Sequence, residues 1–174
     1  METQANSTKI MISNGVIVGV GTVLASAILY VAGLIKSTGW AANLLWFILM
    51  IALIVAGFNT FKKNNNGFLS LGQALKIGMG IAVIAGVITS LYQVAFNEFI
   101  DPELVKSITD EQLQKSLEMN PDMTQEQLDA SRKMVEFFSS PGVIVGAGIL
   151  WNCFVGFVIS LISGLIMKKT EDSF

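Results

Sequence analysis

IGMGIAVIAGVITSLYQVAFN, residues 77–97, runs for 21 residues without a charge between Lys76 and Glu98. About 20 apolar residues in a helix cross the roughly 30 Å of a bilayer's hydrocarbon. A helix is the economical form there, because lipid satisfies no open backbone groups. Three more stretches share this design. Residues 10–35 lie between Lys9 and Lys36, and residues 37–61 between Lys36 and Lys62. Residues 137–167 lie between Glu136 and Lys168, with Pro141-Gly142 marking a helix start. Four such stretches in 174 residues predict an all-α, integral membrane four-helix bundle, a single membrane domain over residues 1–174. The expected spans are 10–35, 39–61, 71–97 and 141–167. Lys9, the apolar run to Leu24 and Ala25-Ser26-Ala27 have the order of a signal peptide. The run continues through Ile28, Leu29, Tyr30 and Val31, which suits an uncleaved span.

Composition agrees. Apolar residues make up 52% and charged residues 14% of the chain, against about 25% charged in ordinary soluble domains. Mean hydropathy is +0.62. A net charge of −2 offers nothing to a nucleic acid. Ten of the 13 acidic residues fall between Glu98 and Glu136, so the spans carry almost none.

The connections have their own signals. The first, residues 36–39, is short enough to make helices 1 and 2 antiparallel neighbours. The second, residues 62–67, reads KKNNNG, a turn-rich stretch. Ser70-Leu71-Gly72-Gln73 fits a capping box and starts the third helix near Leu71. Lys9, Lys62, Lys63, Lys76, Lys168 and Lys169 flank one side of the four spans. Lys36, Lys106, Lys115, Arg132 and Lys133 flank the other, two of them far along the acidic loop. The excess close to span ends predicts cytoplasmic termini in a plasma membrane, with the acidic segment outside.

That segment, residues 98–140, predicts a short extramembrane helical hairpin between helices 3 and 4. Ile108-Thr109-Asp110-Glu111-Gln112-Leu113 and Met123-Thr124-Gln125-Glu126-Gln127-Leu128 are near copies fifteen residues apart. Each offers a Thr N-cap, a Gln at N3 and an apolar residue able to staple onto the leucine. Asn120-Pro121-Asp122 separates them, and Asp101-Pro102 resembles a further N-cap with Pro at N1. The expected helices cover residues 110–119 and 125–138. Leu113 and Leu117 share one face of the first; Leu128, Val135 and Phe138, with Met134 nearby, form the apolar side of the second. Leu113, Leu117, Leu128 and Val135 are the candidate partner surface, against the plainer reading of a solvated cap.

Small residues repeat every fourth position in two spans. The third carries Gly78, Ala82, Gly86 and Ser90, and the fourth Gly148, Asn152, Gly156, Ser160 and Gly164. Such ladders let helix backbones approach closely in lipid. They predict packing within the bundle or between copies of the chain, with Asn152 as an internal hydrogen-bonding contact. Gly15 and Gly19 repeat the pattern in the first span.

Much chemistry is disfavoured. The chain has no histidine and one cysteine, Cys153, so histidine-ligated haem, a Ser/His hydrolase site and paired-cysteine redox chemistry lack their residues. No Asp, Glu, Lys or Arg lies mid-span, where ion-coupled transporters place them. The loop acids lack EF-hand spacing. No cofactor or metal is expected.

The hydrophilic pieces resemble a bacterial membrane family known as domain of unknown function 4199. The likeness rests on Gln73-Ala74-Leu75-Lys76, Leu91-Tyr92-Gln93, Phe99-Ile100-Asp101-Pro102-Glu103 and the run MVEFFSSP at residues 134–141. It extends through GFVISLI at residues 156–162 to Met167-Lys168-Lys169. The resemblance implies a four-span inner-membrane protein of unassigned activity and carries over no catalytic or binding residue. The leading expectation is therefore a non-enzymatic accessory protein in the lipid bilayer, contacting a protein partner or a second copy through its hairpin. A small transporter or channel would instead need Asn14, Thr22, Asn43, Thr89, Gln93 and Asn152 to converge on one path. A membrane enzyme using the outer acids is the third reading.

Overall fold

A computed structural model describes residues 6–120 and 124–169. The helices are α1 (Ser7–Val31), α2 (Ile35–Asn64), α3 (Leu71–Ala95), a π-helical turn (Phe96–Ile100), α4 (Pro102–Met119), α5 (Gln125–Ser139) and α6 (Pro141–Met167). They form two compact units. Met1–Thr89 with Gly148–Phe174 makes the first, and Ser90–Ala147 the second.

In the first unit α3 is the central helix. Gly15 and Gly19 of α1 abut Ile84 and Ile88, so α1 and α3 run parallel. Gly57 of α2 abuts Ile10 and Asn14 of α1, and also Ile81 of α3. α6 runs antiparallel to α3, with Gly164 against Ala74 and Gly86 against Asn152. Met50, Ile54, Phe58, Ile77 and Ile81 are fully buried between the helices. The outer faces are apolar too: Ile17, Leu24 and Ile28 of α1 and Leu150, Phe154 and Ile166 of α6 are all exposed. In water such a surface would aggregate; in a bilayer it meets acyl chains. The stretches Ser7–Val31, Asn43–Asn64, Leu71–Ile100 and Pro141–Met167 are each long and apolar enough to cross a membrane. The fold is an all-helical bundle with four such spans.

The chain's turns place two helix ends apart from the expected span ends. α1 stops at Val31, four residues before the expected end at Ile35, and α2 starts at Ile35 rather than 39. The cause is Gly33, at φ +69°. Its N–H donates to Tyr30 O at 2.9 Å, and that of Leu34 to Leu29 O at 2.8 Å. This is the Schellman closure that a left-handed glycine permits. Lys36 therefore falls inside the first turn of α2 instead of in the connection.

After α2, Asn66 and Gly67 both take positive φ and reverse the chain. Ser70 then closes a reciprocal cap with Gln73: the Ser70 N–H donates to Gln73 Oε1 at 2.8 Å, and the Gln73 N–H to Ser70 Oγ at 3.2 Å. The end of α6 is fastened to this turn. Leu69 and Lys169 exchange backbone hydrogen bonds of 2.9 and 3.0 Å, and Lys62 Nζ donates to Met167 O at 3.0 Å. A cation on the last carbonyls of α6 also suits the negative end of its dipole.

In the second unit α3 passes into the π-helical turn, which the Asp101 N–H closes onto Phe96 O at 3.1 Å. The third span's regular α-helix thus ends at Ala95, two residues short of the expected 97. Asp101 then caps α4, its carboxylate accepting from the Leu104 N–H at 2.8 Å, with Pro102 in the first turn. Nothing between Glu103 and Thr109 interrupts a helix once started. α4 consequently begins eight residues before the expected position 110, and Thr109 lies inside it. Thr124 does cap α5, in a complete capping box with Gln127. Pro121, Asp122 and Met123, read as the break and the staple, lie outside the described residues.

The two threonines of the near-repeat should therefore respond oppositely to alanine. Thr124→Ala should destabilise α5 by about 1 kcal/mol. Thr109→Ala replaces a weaker helix former with the best one and should stabilise α4 by a few tenths of a kcal/mol. Amide hydrogen exchange across residues 104–138 checks this; equal losses of protection from both variants would restore Thr109 as a cap.

Candidate functional site

The small-residue ladders bring α3 and α6 into close contact in the first unit. A Cβ built on Gly78 would collide with Ser160 Oγ, and one on Gly156 with Ala82 Cβ. One on Gly86 would lie 2.9 Å from Asn152 Cβ, and one on Gly164 2.9 Å from Ala74 Cβ. The small residues of the two ladders thus face each other in antiparallel register, within one chain. Ser90 is buried and belongs to the second unit; Gly148 is half-buried and belongs to the first.

Two polar atoms at this contact are costly. Asn152 donates its amide N–H to Gly148 O at 2.9 Å, within its own helix. Its Oδ1, and the Oγ of fully buried Ser160, have no hydrogen-bond partner. The internal hydrogen bond expected of Asn152 is made along α6 itself. A neighbouring helix that presents glycine leaves room for the side chain but has no side-chain acceptor or donor to offer there.

All but one of the residues proposed for a transport path have a hydrogen bond close at hand. Asn14 donates to Leu53 O at 2.9 Å, tying α1 to α2. Thr22 bonds Val18 O at 2.8 Å and Thr89 bonds Ala85 O at 3.0 Å, each within its helix. Gln93 donates to Asn97 Oδ1 at 2.7 Å. Asn43 is exposed on α2. Hydroxyls bonded back to the i−4 carbonyl and an amide tying two helices are packing devices.

In the second unit, α4 and α5 touch. Leu113, Leu117, Leu128 and Val135, expected as a partner surface, are all half-buried. The accessible apolar groups of α5 are Met134, Phe137 and Phe138, at 62%, 61% and 58% exposure. Phe137 and Phe138 meet edge to face with centroids 5.5 Å apart. Sequence periodicity placed Met134 and Phe138 on the apolar side of this helix; it did not separate the covered part of that side from the open part. On α4, Glu111 accepts from Lys115 Nζ at 2.9 Å on an exposed face, which raises the lysine's pKa through that hydrogen bond. Among the described residues no three acids or cysteines come together in a way that could hold a metal ion.

The comparisons with known proteins add one finding. No curated protein and no solved structure matches the chain. A family model described as "Protein of unknown function (DUF4199)" matches residues 13–169, from the first turns of α1 to the lysines that close α6. With nearly the whole fold inside that match, the chain belongs to the DUF4199 family.

Proposed function

We propose that this chain is a non-enzymatic accessory protein of the bacterial inner membrane, with both termini in the cytoplasm and its hairpin offered to a protein partner on the opposite side. The observation that carries this reading is the construction of the second unit. Its two helices are begun by dedicated caps, at Asp101 and at the Thr124–Gln127 box. A mere tether between spans needs no such devices, whereas a recognition surface needs ordered helices. The spans' polar groups, engaged within and between helices, favour this over a transporter. The lysines support the orientation. Lys9, Lys62, Lys76 and Lys168 flank the N-terminal ends of α1 and α3 and the C-terminal ends of α2 and α6, which the packing registers place at one end of the first unit.

Two measurements test it. A cytoplasm-active reporter fused at the C-terminus should be active, and a periplasm-active one inactive; the reverse result overturns the orientation. A photo-crosslinking residue at exposed Gln114 or Glu118 of α4 should give a discrete protein adduct in native membranes, identifiable by mass spectrometry. An adduct of twice the chain's mass assigns the partner as a second copy. Absence of adducts from both positions would overturn the accessory reading. Glutamate at Leu113 or Leu128 would not be a clean probe, because those side chains are partly covered within the hairpin.

A further inference from the structure

We propose that α5 is an interfacial helix, its open apolar face lying in the headgroup–acyl boundary of the bilayer. At 100° per residue, all the charges of α5 fall on one side: Glu126, Asp129, Arg132, Lys133 and Glu136. The opposite side carries no charge and divides in two. Leu128, Ser131 and Val135 are half-buried, while Ala130, Met134 and Phe138 are exposed; Phe137, also exposed, sits at the edge of the charged side. No residue of α5 is fully buried, and the described residues leave this second strip uncovered.

Three observations select lipid as the occupant. Ser140 alone separates α5 from α6, so Phe137 and Phe138 stand within one helical turn of the point where an apolar span begins. At 1.5 Å per residue they cannot be far from the hydrocarbon boundary. Ser140 is also extended, at φ −67° and ψ 139°. The helix axis therefore breaks there, and α5 does not continue α6 straight into water. Finally, the π-helical turn that ends the third span also carries an exposed aromatic: Phe99 is 83% exposed. Exposed aromatics thus stand close in sequence to both span ends that the second unit joins. A charged face opposed to an aromatic one is the pattern of helices that lie in the interface plane.

This inference rests on membrane insertion of α6 but not on the existence of a protein partner. The test uses the full chain with Cys153→Ser, reconstituted in vesicles of phosphatidylethanolamine and phosphatidylglycerol. Single nitroxide labels are placed by Met134→Cys, Phe138→Cys, Asp129→Cys and Leu150→Cys. Power saturation compares collisions with oxygen, enriched in lipid, against those with a water-soluble nickel chelate. The oxygen-to-nickel ratio should be highest at Leu150. It should be several-fold higher at Met134 and Phe138 than at Asp129. Nickel access at Met134 and Phe138 equal to that at Asp129 would put the face in water and overturn the proposal. Poor access to both reagents would mean that protein covers it, with the same consequence. A nickel-accessible Leu150 would overturn the membrane reading itself, so the two failures are distinguishable.

Discussion

Leucine at Gly156 should unlock α6 from α3, with a loss of about 3 kcal/mol, the upper end of the usual cost of overpacking. A single methyl at this position already collides with Ala82 Cβ, and neither partner has a flexible end that can move aside. Gly78→Leu should behave alike, because the atoms in its way are the Oγ of Ser160 and, at 2.8 Å, its Cβ. Helices in a bilayer gain little from hiding apolar surface, since lipid is as apolar as leucine. Close backbone approach and dispersion are what they gain instead, and a wedge between α3 and α6 removes both. Gly146→Leu is the control: among the described residues nothing lies within 4 Å of a Cβ built there, and leaving glycine favours the helix. Detergent-solubilised protein titrated with dodecyl sulfate and followed by tryptophan fluorescence reads all three variants. Exchanging the pair, Ala82→Gly with Gly156→Ala, should recover most of the stability lost by Gly156→Ala alone. No recovery would show that the two residues do not meet.

Four spans were readable because charge is expensive in hydrocarbon. The blank between Lys76 and Glu98 needs no structure to be noticed. The boundaries were less readable where charge and backbone geometry disagree. Lys36 marks where charge returns, yet Gly33 is where the helix closes, because a left-handed C′ residue ends a helix whatever follows it. The same competition explains Thr109. Its local pattern matches that of Thr124, but a cap works only where the chain is not already helical, and Asp101 had started α4 upstream. Spacing revealed the glycine ladders. The pairing of Gly78 with Ser160 and of Ala82 with Gly156 depends on the antiparallel register of α6, which sequence does not state. The candidate surface was half legible. Helical period separates the charged side of α5 from the uncharged side, but it cannot show that contact with α4 leaves Met134, Phe137 and Phe138 open.

Aspartate at Phe154 should raise the free energy of inserting α6 by about 3 kcal/mol, from the difference between aromatic and acidic residues at the centre of a span. Phe154 is the middle residue of Pro141–Met167, far from either interface, where a carboxylate has little scope to reach water. It is also 60% exposed. In a water-facing bundle that exposure would make the change nearly neutral, within about 0.5 kcal/mol. The two environments therefore predict different outcomes for one substitution. The window of α6 has a mean hydropathy of 2.2, so one acid should lower the inserted fraction without abolishing it. Adding Leu150→Asp, at a second exposed site one turn away, brings the penalty to roughly 6 kcal/mol if the two costs add. The double variant should leave the fourth span outside the bilayer and move the C-terminal reporter to the opposite side. Dual-reporter fusions and membrane fractionation measure both effects. A double variant that keeps its C-terminus in place and runs as a stable, fully helical protein without detergent would show that the exposed face of α6 meets water. The same two acids on the buried face, at Val155 and Ile159, would disrupt a bundle in either solvent, which is why the exposed positions carry the test.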